Sequence, residues 1–182
     1  KQYLSAGRNW YFSSPISNAT SAVFKETEGN QLWERNVPGN SWTEITATDV
    51  DLTPLKGYIG KVAANGVVTF NGTLNNANIP ALTLIKSNAT NGKFHLVGNP
   101  YPSYLDWQAV AVANPNLTGS MWFRTKTAVS EQVPTSVYTF STVLYTTEAG
   151  LQIVNGNANT TVTPKIPPMQ AFWVRIKDGV ES

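Results

Sequence analysis

His95-Leu96-Val97-Gly98-Asn99-Pro100-Tyr101-Pro102-Ser103-Tyr104-Leu105-Asp106-Trp107 reads as a strand, a rigid turn and a short helix. Leu96 to Asn99 are expected to run extended, because Asn99 precedes a proline and is pushed out of the α region. Pro100 and Pro102 then fix two φ angles within three residues. Ser103 is placed to cap the short helix, with Asp106 three positions on as the reciprocal partner of a capping box. The helix carries Leu105, Trp107 and Val110 inward and stops before Asn114-Pro115. A segment of this kind specifies architecture rather than chemistry.

Working outward, helical periodicity is scarce. Short alternating runs bounded by Gly, Asn, Pro or Thr predominate, as in a sandwich or barrel. Expected strands are Trp10–Ser14, Val23–Lys25, Leu32–Arg35, Trp42–Thr46, Tyr58–Ala63, Val67–Thr73, Ala81–Ile85, Phe94–Val97, Met121–Thr125, Val137–Leu144, Leu151–Val154 and Gln170–Ile176. Asn65-Gly66 between two apolar runs predicts a type I′ hairpin.

The chain also repeats itself. Gly7 to Pro15 aligns with Gly92 to Pro100 at an offset of 85 residues, and Leu32-Trp33-Glu34-Arg35 with Met121-Trp122-Phe123-Arg124 at 89. Gly57 to Val62 aligns with Ala171 to Ile176 at 114. Order is kept, and the offset grows only where the second half carries extra loop. Two such halves, about 1–85 and 86–182, would close one interior together. The expected fold is therefore a single all-β domain over 1–182, a jelly-roll-like two-sheet β-sandwich with internal duplication and one short helix.

Composition narrows the function. At 182 residues the chain can bury a sizeable core. Charged residues are only 13%, about half the usual share of ~25%. Lys and Arg form no cluster that would track a phosphate backbone, so nucleic acid is not an expected partner. The absence of cysteine excludes disulfides, thiolate metal sites and cysteine nucleophiles. No apolar run approaches the ~18 residues of a membrane span, so no membrane insertion is expected. The start at Lys1-Gln2-Tyr3, without Met or signal peptide, reads as a mature protein or an excised module.

Four ordered segments resemble the β-sandwich modules of large secreted Bacteroidetes surface proteins. They are Trp10-Tyr11-Phe12-Ser13-Ser14-Pro15, Gly57-Tyr58 followed by Phe70-Asn71-Gly72-Thr73-Leu74-Asn75, Leu96 to Ser103 with Leu105-Asp106-Trp107, and Ile166-Pro167-Pro168-Met169-Gln170-Ala171-Phe172-Trp173-Val174. Modules of that group sit beside catalytic, adhesive or sorting domains, and many are exported by the type IX route. The resemblance implies a secreted or cell-surface setting and neighbouring domains in a larger parent chain. It brings no catalytic residue set.

The residues themselves offer little chemistry. The acidic residues are scattered, and no spacing singles out the carboxylate pair a glycosidase needs. The chain is expected not to be an enzyme. Asp49 and Asp51 share one side of an extended segment and form a weak calcium candidate; no other cofactor is expected. His95 stands where Trp10 stands in the first half, which favours packing over ligation. Asn-x-Ser/Thr sequons at Asn18, Asn71, Asn88, Asn116 and Asn159 are acceptors only in a eukaryotic source.

The aromatics are the functional lead. Met121 and Phe123 share one strand face and Trp122 and Arg124 the other; Leu32 opposes Trp33 and Arg35 in the same way. If Met, Phe and Leu face the core, both tryptophans turn outward beside a cation, with Trp42 and Tyr138 on adjacent strands. Indoles match the C–H face of a pyranose, and Arg can hydrogen-bond its hydroxyls. The expectation is non-catalytic binding of polysaccharide or a cell-surface glycan through Trp33, Arg35, Trp42, Trp122, Arg124 and Tyr138. The alternative is a structural or adhesion spacer with no glycan ligand, in which Trp33 and Trp122 are covered.

Overall fold

The computed structural model describes residues 1–37, 39–87, 92–126, 140–146, 150–154 and 163–180, with backbone only in 124–126, 140–146 and 150–154. The elements in the first half are β1 (Gln2–Leu4), β2 (Trp10–Phe12), α1 (Ala22–Lys25), β3 (Gln31–Asn36), β4 (Ser41–Glu44), β5 (Tyr58–Lys61) and β6 (Gly66–Val68). Those in the second are β7 (Phe94–Gly98), β8 (Leu105–Asp106), α2 (Trp107–Ala113), β9 (Leu117–Lys126), β10 (Phe140–Thr146), β11 (Gly150–Val154), β12 (Lys165–Ile166) and β13 (Ala171–Ile176).

Two antiparallel sheets dominate, in the order β2-β5-β3-β4 and β7-β13-β9-β10-β11. The all-β sandwich-like class is the expected one. The wrapping is simpler than a jelly roll, because each large sheet draws all its strands from one half of the chain. The repeat offsets carry β2, β5 and β3 onto β7, β13 and β9 with identical register. Tyr11 pairs with Ile59 as Leu96 pairs with Trp173, and Trp33 pairs with Ile59 as Trp122 pairs with Trp173.

The halves meet reciprocally, residue for equivalent residue, as in an isologous interface. The Ser13 N–H donates to the Met169 carbonyl at 2.9 Å, and the Gly98 N–H to the Leu55 carbonyl at 2.8 Å. Leu55 and Met169 both hold the left-handed region, φ 65° and 63°. That costs on the order of 1 kcal/mol or more for residues with a Cβ, and it turns each carbonyl toward the other half. Phe12 bridges Gln170 as Lys56 bridges Val97. Asn75 ties the two equivalent prolines: its N–H donates to the Pro15 carbonyl and its Nδ2 to the Pro100 carbonyl, at 3.0 and 2.8 Å.

Apolar side chains fill three layers. Phe12, Phe24, Leu32, Tyr58, Leu4 and Val68 lie on the far side of the first sheet, closed by α1 and the β1–β6 ribbon. Trp107, Met121, Ile166, Phe172 and Val174 lie on the far side of the second, under α2. Between the sheets sit Ile59, Leu96 and Ala171, with Tyr11, Trp33 and Trp173 packed against them.

Several local expectations need correction. Two short helices form rather than one, since Val23–Lys25 is the helical turn α1 and not a strand. It sinks Phe24 onto Phe12, with ring centroids 4.4 Å apart. Gly66–Val68 pairs with Gln2–Leu4, so Asn65-Gly66 closes no hairpin with β5; the Asn65 Oδ1 instead accepts from the Ala6 N–H at 2.8 Å. Ala81–Ile85 forms no strand. Ser103 does not cap α2. Leu105 and Asp106 are drawn into a ladder with Lys165–Ile166, so the helix starts at Trp107. Asp106 becomes its N-cap, accepting from the Gln108 N–H at 3.0 Å. Helix formation stops at Asn114 as expected.

The turn after β7 is held by Asn99, fully buried. Its Nδ2 donates to the carbonyls of Ser103 at 2.7 Å and of Ile166 and Pro167 at 3.1 Å, while Oδ1 accepts from the Tyr101 N–H at 3.0 Å. A side-chain amide suits the position, because its NH₂ has two donors for the carbonyls while its oxygen accepts.

Candidate functional site

Leu32 and Met121 are fully buried, as their strand faces predict. The opposite face of each sheet, expected to meet water, meets the other sheet instead. Trp33 is half-buried in the layer between them. Trp122 is half-buried too, its ring edge-on to Phe94 at 5.2 Å. The outward reading of these two indoles is therefore corrected: Trp33 packs in the layer between the sheets, and Phe94 of its own sheet lies against Trp122. Arg124 is described in backbone only, and Tyr138 lies outside the described residues.

Trp42 differs. It is the exposed member of the six tryptophans, at 37% of its full accessibility. β4 is the edge strand of the first sheet, and Trp42 pairs directly with Arg35 on β3. The Trp42 ring stands edge-on to Trp173, centroids 6.0 Å apart at 87°. Arg35 lies over both indoles, its guanidinium carbon 5.5 Å from one ring centroid and 5.6 Å from the other. Asn40, in the left-handed region at φ 52°, returns its Oδ1 to the Arg35 Nη2. Trp33, Arg35 and Trp42 thus share one face, on which Trp42 is exposed and Trp33 and Arg35 are half-buried.

Behind that corner lies a pocket of about 220 Å³, lined by Arg35, Lys56, Thr53, His95 and Leu82 to Ile85, among others. Two of its polar atoms are buried without a hydrogen-bond partner, the Arg35 Nε and the His95 Nε2. His95 itself is 7% exposed. Burial lowers the pKa of its ring, a hydrogen bond to the Ile85 backbone opposes this, and the positive Arg35 lowers it further. The Arg35 pKa is also lowered by burial. Lys56 is paired with Glu34 at 2.5 Å. The burial of His95 fits packing; the partnerless nitrogen and the pocket in front of it were not legible, because Arg35 and Leu82–Ile85 reach His95 only through the sheet-to-sheet contact.

That environment has a pH signature. The folded ring takes up a proton less readily than the unfolded one, so the unfolded state binds more protons as pH falls below 6.5, the ordinary histidine value. The His95 contribution to stability is complete above that value and is lost as pH falls through the lower folded pKa. Arg35, Lys56 and Glu34 are the charged groups that line or adjoin the pocket. The urea midpoint is expected to decline below pH 6.5, and His95→Phe should flatten that part of the profile. Asp106 and Asp178, held below 3.8 by Lys165 and by Lys93 with Arg175, act at much lower pH.

Asp49 and Asp51 are exposed, with Asp51 bridged to Thr20. Among the described residues no third His, Cys, Asp or Glu side chain joins them in a cluster. Two further pockets, of about 260 and 270 Å³, lie along Leu82 and Leu84. None of the three is lined by Asp or Glu. No helix among the described residues is long and apolar enough to cross a membrane.

Residues 5–182 match the family model described as Domain of unknown function (DUF8693). The chain belongs to the DUF8693 family. The match takes in both halves of the DUF8693 chain, so the two-sheet unit with its reciprocal contact lies inside one family domain. No curated protein and no solved structure matches it.

Proposed function

We propose that this DUF8693 domain is a non-catalytic carbohydrate-binding module of a secreted or cell-surface protein, and that it holds polysaccharide at the Trp42–Arg35 corner. The observation that carries the reading is Trp42: an exposed indole, braced edge-on by Trp173, beside a guanidinium. A rigid, half-desolvated ring of this kind offers a flat apolar face at little entropic cost. The expected site is smaller than the sequence suggests, one ring rather than a row, so affinity should be modest. Its neighbours in the parent chain would supply any activity.

A structural or adhesion spacer is the second reading, favoured by the covering of Trp33 and Trp122. Affinity electrophoresis against a panel of soluble polysaccharides separates the two. Retardation by at least one glycan, lost in Trp42→Ala, is expected. One stacked ring accounts for on the order of 1 kcal/mol, or roughly a five- to tenfold change in affinity. Because Trp42 is on an edge strand, the same variant should keep its unfolding free energy within about 1 kcal/mol of the parent. No retardation on any glycan would leave the spacer.

A further inference from the structure

We propose that Ala81–Ile85 is an open strand edge that takes one extended segment of a partner polypeptide, seated as β6 is seated on β1. The proposal goes beyond the glycan reading and does not depend on it. The sequence predicts a strand here, and the segment keeps a strand's alternation: Leu82 and Leu84 are half-buried, while Ala81, Thr83 and Ile85 are exposed. What it lacks is a ladder. Among the described residues, none of these five exchanges a backbone hydrogen bond with another main-chain group. A row of unpaired N–H and C=O groups on an extended segment is a template for adding a strand. The segment is also held at both ends. Before it, the Asn75 Nδ2 donates to the Pro100 carbonyl at 2.8 Å; after it, the Lys86 Nζ donates to the Val180 carbonyl at 3.0 Å.

The repeat shows what sits on such an edge. Leu4 and Leu84 hold matching places: each lies in the segment that leads into β2 or β7, and each packs on the far side of its own sheet. Trp10 donates from Nε1 to the carbonyl of Ser5, the residue after Leu4, at 2.9 Å. His95, the counterpart of Trp10, lines a pocket together with Ile85, the residue after Leu84. In the first half β6 pairs with β1, Gln2 opposite Val68 and Leu4 opposite Gly66, and Leu4, Val62 and Val68 share one apolar layer. In the second half Leu84 and Ile176, the counterpart of Val62, line a pocket of about 260 Å³. The offset of 114 carries Gly66-Val67-Val68 onto Val180-Glu181-Ser182, so the chain has a serine where the first layer takes a valine. The chemistry of the edge then selects a polypeptide. An acyl chain or a lone aromatic ring would fill an apolar pocket and offer nothing to the main chain beside it. A peptide strand meets both needs, because its own N–H and C=O groups alternate at the same spacing and every second side chain points to one face. The inward side chain should be small and apolar, as Val68 is.

The probe is a capped synthetic peptide of the β6 segment, Ala64-Asn65-Gly66-Val67-Val68-Thr69-Phe70. It is added at millimolar concentration to the whole protein, and backbone amide exchange is followed residue by residue by NMR. The expected result is a saturable slowing of roughly tenfold or more at alternate amides of Ala81–Ile85, with β1 unchanged. The same peptide carrying Val68→Asp should have no effect. Ala113→Phe, at an exposed helical position that borders the pocket, should weaken the peptide roughly tenfold while leaving the unfolding midpoint of the free protein in place. Amides of Ala81–Ile85 that already exchange as slowly as those of β13 in the free protein would show a closed edge and overturn the proposal. Slowing that follows protein concentration alone would make the occupant a second copy of this chain, and slowing at β4 instead would move the open edge there; either result overturns the assignment. So does an equal response to the Val68→Asp peptide, or no response at all, and none of these outcomes touches the Trp42 test of glycan binding.

Discussion

Gly98→Ala is expected to destabilise the domain by about 3 kcal/mol, the upper end of the usual cost of overpacking, or roughly 6–12 °C in midpoint for a chain of this size. Ser13 and Gly98 are equivalent positions of the two halves, and they meet each other. A Cβ on Gly98 would overlap the Cβ and Oγ of Ser13 and stand 3.4 Å from its Cα. Neither strand can back away. The Ser13 N–H is bonded to Met169 and the Gly98 N–H to Leu55, and the Ser13 Oγ donates to the Asn99 carbonyl at 2.6 Å. Where a duplicated position faces its own copy, only one of the two can carry a side chain. Ser13→Gly should therefore return most of the stability lost in Gly98→Ala, although alone it removes a hydrogen bond and is mildly destabilising. Urea unfolding of the two single variants and the double variant gives the coupling. Additive effects would mean that the halves do not touch at these residues.

Trp107→Ala should cost about 3–5 kcal/mol, as for other fully buried large aromatics. Trp107 opens α2 at 0% exposure, edge-on to Phe172 at 5.9 Å, with Nε1 donating to the Gly119 carbonyl at 2.9 Å. The repeat shows why no neighbour can fill the space. Ala22 stands at the equivalent place in α1, and there Phe24 fills the core instead, over Gly60. In the second half the equivalent of Gly60 is Val174, which leaves no room for a ring from the next helical turn. Each half thus pairs one large residue with one small one, in opposite places. Trp107→Phe should fall between, keeping most of the packing and leaving the Gly119 carbonyl without its donor. Thermal unfolding followed by near-ultraviolet circular dichroism reads both. A midpoint unchanged in Trp107→Ala would contradict the packing of this indole against Phe172.

Much of this was present in local sequence. Leu32, Met121 and Trp107 announce a buried face through period-two alternation or a helix start, and Pro100, Pro102 and Asn114-Pro115 bound the turn and helix between them. The repeat offsets did more, since they carried the strand pairing of one half onto the other with its register. Val23–Lys25 is too short for its period to separate a strand from a helical turn. Asn65-Gly66 has a hairpin's composition, but its partner strand is β1, far away in the chain. Asp106 has a capping partner in sequence and a ladder partner in space, and the ladder prevailed. The candidate site was half-legible: Trp42 and Arg35 stand together as expected, while His95 joins them only across the two halves.

From its residues alone the chain is determined to be a β-protein of short strands with two distinguishable faces, because side chains alternate along a strand whatever surrounds it. Which of the two faces would stay wet was decided only by the tertiary structure. Alternation distinguishes the faces of a sheet but not what is brought against them. Here the second half was brought against the first, which half-covered Trp33, left Trp42 exposed at the edge, and set Arg35 and His95 in one pocket.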